Sequence, residues 1–136
     1  MEKAVSRVLK KSGAKEVHGT NPKSARKLKG IDSTRRIVDK DGIFSADVVL
    51  VPLEDGDRTL ALKKAKKKVI TFDLNPLSRT AQTADITIVD NTTRAMKLLV
   101  AACKKKKSKP SYNNKKVLSE SISEIKKNLQ RRARLA

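Results

Sequence analysis

The sequence predicts an α/β protein with a mostly parallel sheet flanked by helices and a further helix at its C-terminus. Three short apolar runs, rich in β-branched residues, alternate with segments whose apolar residues recur at helical spacing. The runs are nearly continuous in apolar residues, which is typical of parallel strands buried on both faces. Strands that alternate with helices in this way form parallel sheets through right-handed crossovers.

The first 42 residues are mostly polar and basic. Three apolar residues recur at helical spacing and predict a short amphipathic helix: Val5, Val8 and Leu9. Gly13 then predicts the end of that helix. Residues 14–19 (AKEVHG) predict a short strand. Residues 20–42 are rich in turn-forming residues, so we expect a long loop with at most one helical turn.

The strands and helices of the sheet follow in alternation. The predicted strands cover residues 46–53, 69–72 and 85–89. The predicted helices cover residues 57–67 and 92–104, and a final helix has an apolar stripe of Val117, Leu118, Ile122, Ile125 and Leu129. We therefore expect a core domain at 1–104, a basic linker at 105–112, and a C-terminal helix at 113–136 that packs on the core or on a second copy.

The charge of the chain restricts its partners. Of its 136 residues 38% are hydrophobic and 35% charged, and the formal net charge is +19. This charge predicts either a polyanion partner, such as nucleic acid, or lysine-rich solvated surfaces without a specific partner. Nucleic acid is the less favoured partner, because aromatic side chains that stack on bases are nearly absent and the lysines are spread over several segments.

Cysteine and histidine each occur once, which excludes several classes of site. Cys103 is the single cysteine, so no disulfide forms within the chain, as expected in a reducing cytoplasm. His18 is the single histidine, which argues against a zinc site or a Ser-His-Asp triad. The sequence contains no signal peptide pattern and no membrane-spanning run, so we expect a cytoplasmic protein.

A polar, lysine-free cluster follows each of the three predicted strands. The clusters cover residues 54–59 (EDGDRT), 73–80 (DLNPLSRT) and 90–94 (DNTTR). Parallel strands end at one edge of a sheet, and ligands of such folds bind beyond that edge. Single members also suit ordinary roles, since Asp57 and Thr92 are common helix caps and Asn75-Pro76 a common turn. Three clusters at one edge nevertheless predict a ligand site.

The residue types in these clusters favour nucleotide binding. Gly56 allows the backbone to approach a ligand closely. The helix that begins near Asp57 offers N–H groups and the positive end of its dipole to phosphate. Arg58 and Arg79 are able to bind phosphate or carboxylate oxygens in a bidentate manner.

Acidic residues complete this hypothesis. Asp73 lies just past a strand, where doubly wound folds place the acid that binds ribose. No protein metal site is predicted, but Asp55 or Asp57 would suit a magnesium–ATP complex. The motifs GxGxxG and GxxxxGK[ST] are absent, so the sequence indicates neither a standard Rossmann dehydrogenase nor a P-loop NTPase.

Several long segments resemble one enzyme family. They are GAKEVHG, GIDSTRR, GIFSADVVLVPLEDGDRT, KKVITFDLNPLSRTAQTADITIVDN and SYNNKKVLSESISEIKK. Together they closely resemble the archaeal phosphopantothenate synthetases, also called 4-phosphopantoate–β-alanine ligases, from about residue 5 to residue 129. The resemblance implies an incomplete Rossmann-like nucleotide-binding core and a homodimer. It also implies an ATP-dependent ligase of coenzyme A biosynthesis that adenylates 4-phosphopantoate and passes the acyl group to β-alanine.

The resemblance also implies roles for individual residues. The residues expected to contact ATP are Asp55, Gly56, Asp57, Arg58, Thr59, Asp73, Leu74 and Asn75. The residues expected to contact phosphate or substrate are Ser78, Arg79, Thr80 and Asn91. Asn91 is the weakest of these assignments, since it is also suited to capping the following helix.

The chain departs from the family in two respects. It matches only the C-terminal half, so we expect a homodimer or a complementing N-terminal half to cover an exposed strand edge and an open sheet face. It is also unusually basic, with KKAKKK and KKKKSKP where a mixed surface is expected. The alternative hypotheses are a basic nucleic-acid-binding protein and an inactive truncated homologue that acts as a scaffold.

Overall fold

The structure is a computed structural model that describes residues 2–29, 34–105 and 111–135. Its helices are α1 (Glu2–Lys11), α2 (Gly56–Lys64), α3 (Arg79–Thr83), α4 (Thr92–Lys104) and α5 (Asn114–Ala133). Its strands are β1 (Ala25–Lys27), β2 (Ile37–Asp39), β3 (Val48–Val51), β4 (Lys68–Phe72) and β5 (Ile86–Ile88). No helix in these described ranges has the length and apolar character needed to cross a bilayer.

The parallel sheet predicted from the sequence is confirmed. Its strands lie in the order β3-β4-β5, with Val49 opposite Val69 and Ile70 opposite Ile86. The crossover helices α2 and α3 pack against each other and against β4. Their side of the sheet contains the core cluster, whose members include Val49, Val51, Leu62, Val69 and Ala84.

The apolar run of the first parallel strand is buried on one face, not on both as its sequence predicts. In β3 the side chains of Val49 and Val51 are buried, whereas Val48 is 54% exposed and Leu50 is 36% exposed. Leu53, just past the strand, is also exposed. The prediction of two-sided burial is therefore wrong for β3. Phe72 of β4, two residues after the Ile70 that pairs with Leu50, is buried on this same face. The expected open face is thus present at β3 and not across the whole sheet.

The N-terminal region differs most from expectation. Helix α1 is confirmed, although its apolar side chains Val5, Val8 and Leu9 are exposed to solvent. The predicted strand at 14–19 is wrong, because these residues form no ladder. The predicted loop at 20–42 contains an antiparallel pair, β1 with β2, in which Arg26 lies opposite Val38. Residues 30–33 of that loop lie outside the described residues.

A buried carboxylate organises this antiparallel pair. Asp39 accepts hydrogen bonds from the Gly19 N–H at 3.0 Å, from the Ser24 hydroxyl, and from the Asp41 N–H at 3.0 Å. The Ser24 hydrogen bond, followed by the Gly19 bond, lowers the pKa of Asp39 to about 2. Residues 14–19 are thus held by a side chain instead of a strand ladder, which explains why strand propensity failed to predict them.

Helix α5 attaches to the outer edge of the sheet through side chains at its start. Asn114 accepts a hydrogen bond from the Thr87 N–H of β5 at 2.8 Å and donates to the carbonyls of Ala81 at 2.9 Å and Ala84 at 3.1 Å. The Tyr112 hydroxyl donates to the Thr87 carbonyl at 3.1 Å. These bonds satisfy backbone groups at the outer edge of β5. Most of the predicted linker, residues 106–110, lies outside the described residues.

Candidate functional site

The loops after β3 and β4 meet at the carboxyl edge of the sheet. The Asp55 N–H donates to the Thr80 hydroxyl oxygen at 2.9 Å, and that hydroxyl donates to Glu54 Oε1 at 3.2 Å. Thr80 is fully buried, so one hydroxyl joins both loops below the surface. The first two polar clusters of the sequence therefore lie side by side.

The loop after β5 reaches the same edge at one point. The Thr92 hydroxyl donates to the carbonyl of Pro52 at 3.3 Å. The other polar groups of the loop after β5 make local contacts. Asn91 caps α4 by accepting a hydrogen bond from the Thr93 N–H at 2.9 Å. Asp90 accepts from Arg94, and this hydrogen bond lowers the pKa of Asp90 and raises that of Arg94. The third cluster thus borders the site, and Asn91 has the capping role that the sequence left open.

The start of α2 is covered by Arg79, the first residue of α3. Asp55 caps the helix by accepting from the Arg58 N–H at 3.0 Å, and its second oxygen lies 3.3 Å from Arg58 Nε. Arg79 donates to Asp57 Oδ1 at 3.0 Å. A Cβ atom on Gly56 would lie only 2.9 Å from Arg79 Cβ and 3.1 Å from its Nε. Glycine at position 56 therefore makes room for the Arg79 side chain over the helix N-terminus.

The acid predicted to bind ribose is engaged within its own loop. Asp73 is buried and accepts hydrogen bonds from the Asn75 N–H at 2.9 Å and from the Ser78 hydroxyl. Ser78 in turn caps α3, because its hydroxyl oxygen accepts from the Ala81 N–H at 2.9 Å. The carboxylate of Asp73 thus shapes the turn that brings Arg79 to α2, while Leu74 stands exposed beside it.

Thr59 has an unusual position among the predicted site residues. Its side chain is fully buried, and its hydroxyl oxygen has no hydrogen-bond partner in the described structure. Thr80 is equally buried. Both side chains therefore lie below the surface of the site, where α2 packs against α3.

A cavity of about 350 Å³ opens beside the start of α2. Its polar lining comes from Glu54, Asp55 and Arg58, and the rest is mainly apolar, with Ile43, Leu50 and Leu53 among the lining residues. Small-molecule sites are typically apolar clefts of roughly 300–1,000 Å³ with a few polar groups that orient the ligand. The cavity at the carboxyl edge matches this description.

Two features of the site were missed by sequence reasoning. The first is α3, a helix of five residues that begins at Arg79. The cap by Ser78 was its only sequence signal, because the helix is too short to show an apolar period. The second is the individual role of Glu54, a member of the first cluster whose carboxylate accepts from Thr80 and lines the cavity. Its place directly before Asp55 in the first cluster was the available signal.

The carboxylates of the site do not form a metal cage by themselves. Within the described ranges, no three metal-binding side chains of His, Cys, Asp or Glu come together. Asp55 is engaged at the helix cap, and Asp57 is paired with Arg79. A magnesium ion at this edge would take most of its ligands from substrate phosphates and water, as it commonly does.

The fold and the site together define a class of protein. It is an α/β protein whose parallel sheet carries a cleft at its carboxyl edge, beside a helix N-terminus and two arginines. Residues 1–131 match the family model described as phosphopantothenate/pantothenate synthetase. The chain belongs to this family.

Curated relatives agree with that assignment. A protein named 4-phosphopantoate–β-alanine ligase from Methanosarcina mazei is 49% identical over 90% of this chain and 51% of its own length. Proteins with the same name from Thermococcus kodakarensis and Thermococcus onnurineus are 46% and 42% identical, over 87% and 96% of this chain. These two alignments cover 48% and 53% of the relatives. The chain thus spans about half the length of the curated relatives it matches.

Proposed function

We propose that this chain forms the nucleotide-binding part of a 4-phosphopantoate–β-alanine ligase. The reaction would join 4-phosphopantoate to β-alanine with ATP and give 4′-phosphopantothenate, AMP and pyrophosphate. Membership of the family and the names of the relatives support this reaction. The observation that carries it is the cleft beside Asp55 and Arg58, at the sheet edge where α/β folds bind their ligands.

ATP would bind across the start of α2 and the loop after β4. The N-terminus of α2 favours phosphate through its N–H groups and dipole. Arg58 and Arg79 both lie beside this helix end. Exposed Leu74 offers an apolar contact to the base. Asp73 and Asn75 would act by holding the turn, since their carboxylate and amide oxygens accept from loop N–H groups.

The chemistry would follow two displacements. A carboxylate oxygen of 4-phosphopantoate attacks the α-phosphorus of ATP, and the bond to pyrophosphate breaks. The amine of β-alanine then attacks the acyl carbon, loses a proton, and displaces AMP. Negative charge grows on the phosphate oxygens in the first step, where positive groups at the edge stabilise it. A magnesium ion bound to the phosphates would share this role.

The open face of the sheet supports a partner that completes the enzyme. Val48, Leu50 and Leu53 are exposed beside the cleft, and the relatives are about twice as long as this chain. The partner would be a second copy of this chain, or a polypeptide corresponding to the part of the relatives that lies outside the match. Burying these side chains would contribute roughly 25 cal/mol per Å² of apolar surface.

A product-release assay tests the proposal. The chain is mixed with ATP, 4-phosphopantoate and β-alanine, and AMP and pyrophosphate are measured, first alone and then with the separately supplied other half of a relative. AMP release that depends on both 4-phosphopantoate and β-alanine supports the ligase. No release in either mixture overturns the proposal of activity, and ATP binding without release would identify an inactive scaffold.

A charge-conserving pair of variants tests the phosphate role of Arg79. Arg79→Lys keeps the positive charge but loses the planar fork that binds two phosphate oxygens, so ATP affinity should fall by about tenfold or more. Arg94→Lys is the matched control, because Arg94 pairs with Asp90 outside the cleft. Calorimetric titration with ATP compares the two variants. Equal affinities would remove Arg79 from the phosphate site.

A further inference from the structure

A second cavity, of about 360 Å³, lies at the opposite end of the sheet from the candidate site. It is bounded by the end of β1, the turn at Phe44, and the C-terminal end of α2, which leads into β4. Its lining residues are Lys27, Leu28, Lys29, Phe44, Lys64, Ala65, Lys66 and Lys67. Helix α2 begins at the carboxyl edge of the sheet and ends at the amino edge. This cavity is therefore separate from the cleft of the candidate site.

Specific contacts fix the walls of this cavity. Lys67 Nζ donates to the carbonyl of Phe44 at 2.7 Å and so holds the turn against the end of α2. Lys66 has a positive φ of 59°, which ends the helix and turns the chain into β4. Leu28 is buried in the core and forms the floor. The cavity is therefore a product of the fold, built where three segments meet.

The cavity is strongly cationic. Five lysines line it, and no acidic residue is among the described residues of its lining. No described carboxylate lies within ion-pair distance of any of the five ammonium groups, in contrast to Lys63, which binds Asp85 at 2.6 Å. Three of these lysines belong to the run KKAKKK and the other two to residues 27–29, and only the fold brings the two stretches together.

An exposed aromatic ring lies among these lysines. The chain contains only two phenylalanines and one tyrosine. Of these, Phe44 has a side chain that is 42% exposed. A flat apolar ring surrounded by cations is the arrangement with which proteins bind single-stranded nucleic acids, because the ring stacks on a base and the cations bind phosphates. The lack of aromatic residues was the main argument against nucleic acid, and the structure places one where that function needs it.

We infer that this cavity, named here the Phe44 cavity, binds single-stranded nucleic acid. One base stacks on Phe44, and the flanking phosphates contact the surrounding lysines. Five ammonium groups exceed the charge of the phosphate on a single nucleotide, so a strand with several phosphates fits better than a mononucleotide. The inference concerns an activity separate from the proposed ligase reaction, and the net charge of +19 supplies its long-range attraction.

Fluorescence anisotropy with a labelled oligouridylate of about twelve nucleotides tests the inference. The 136-residue chain is titrated between about 50 and 200 mM salt. In the triple variant Lys27→Gln, Lys29→Gln, Lys64→Gln the slope of log affinity against log salt should shrink by about 2, since each phosphate contact on a single strand contributes about 0.7. Phe44→Leu should weaken binding roughly five- to hundredfold and leave the slope unchanged.

A matched charge control separates the cavity from general attraction. The triple variant Lys97→Gln, Lys104→Gln, Lys126→Gln removes the same charge from exposed positions on α4 and α5. It should keep most of the slope that the cavity variant loses. Equal effects of the two triple variants, or wild-type binding by Phe44→Leu, would overturn the inference in favour of diffuse surface attraction.

Two competition arms identify the ligand class. Uridine monophosphate should fail to displace the oligonucleotide at concentrations far above the affinity of the strand. Displacement at equal concentrations would make the cavity a mononucleotide site and overturn the inference. The second arm uses vesicles that contain anionic phospholipid. If Phe44→Leu lost binding to the vesicles and kept its binding to the oligonucleotide, the inference would also be overturned. Circular dichroism of each variant confirms that the fold is retained.

Discussion

At the scale of single residues, the contact between Gly56 and Arg79 has the clearest consequence. The start of a helix ordinarily tolerates alanine, and alanine is favoured over glycine in helices by about 0.5–1 kcal/mol. Here an added methyl group would lie 2.9 Å from Arg79 Cβ, which is close to the backbone of α3 and cannot swing away. The steric conflict should therefore outweigh the gain in helix propensity.

We expect Gly56→Ala to lower both the melting temperature and the affinity for ATP, because α3 and Arg79 must move away from α2. Thermal unfolding and calorimetric titration measure the two effects. Gly42→Ala is the matched control, since its methyl group would lie 3.1 Å from His18 Cβ, in the N-terminal region. The control should lose stability and keep its ATP affinity. A Gly56→Ala protein that is more stable than wild type would contradict the steric argument.

Asp73 shows what residue patterns leave undetermined. An acid just past a strand has the sequence position of a ribose ligand, and also that of a turn former. The structure assigns both oxygens of Asp73 to its own loop, at the Asn75 N–H and the Ser78 hydroxyl. We therefore expect Asp73→Ala to lose about 1–3 kcal/mol of unfolding free energy. Chemical denaturation measures this difference, with Asp57→Ala as an exposed control.

At the scale of elements, one amide side chain makes three of the hydrogen bonds that attach the start of α5 to the core. Asn114→Ala removes an acceptor for the Thr87 N–H and the donors to the Ala81 and Ala84 carbonyls, so we expect a loss of roughly 1–3 kcal/mol. Hydrogen exchange should speed up at Thr87 and along α5. Asn128→Ala is the control, because Asn128 bonds only to Glu124 within α5 among the described contacts. Unchanged exchange at Thr87 would show that α5 is held by apolar packing alone.

The antiparallel pair of the N-terminal region should weaken in acid. The pKa of Asp39 is lowered from the ordinary 3.8 to about 2, so folding favours its ionised form. Its contribution is fully present above pH 4 and is lost as the pH falls from about 4 towards 2. Asp39→Asn should therefore reduce stability at neutral pH, and its difference from wild type should shrink across that window. Urea unfolding at matched pH values measures the free energy of unfolding of each variant. The control is Asp41→Asn at an exposed position nearby, and its difference from wild type should not shrink across this window.

At the scale of the whole molecule, the sequence predicted the parts whose signals are local or periodic. The three parallel strands, helices α2, α4 and α5, and the sheet edge that gathers EDGDRT and DLNPLSRT all follow from apolar runs and from topology. The antiparallel pair and α3 were missed because each element has three to five residues and depends on tertiary hydrogen bonds. The Phe44 cavity was missed because only the fold brings its lysines together.

The open face of the sheet predicts the state of the chain in solution. Val48 and Leu50 are exposed on β3, and the described residues place no further strand beside its outer edge. We expect sedimentation velocity to show oligomers or aggregates at low salt, and a single-sized species after the complementing half is added. Val48→Lys with Leu50→Lys should suppress self-association. A clean monomer of the unmodified chain would contradict this expectation.

The same half-covered sheet has a consequence for protein abundance. Under the proposal that a partner covers this strand, the chain keeps apolar strand residues in water until the two meet, and it is a substrate for chaperones and proteases during that time. Its steady-state amount should then follow the amount of the partner instead of its own rate of synthesis. Overproducing this chain alone would shorten its half-life. Producing the chain together with the proposed partner would restore the half-life.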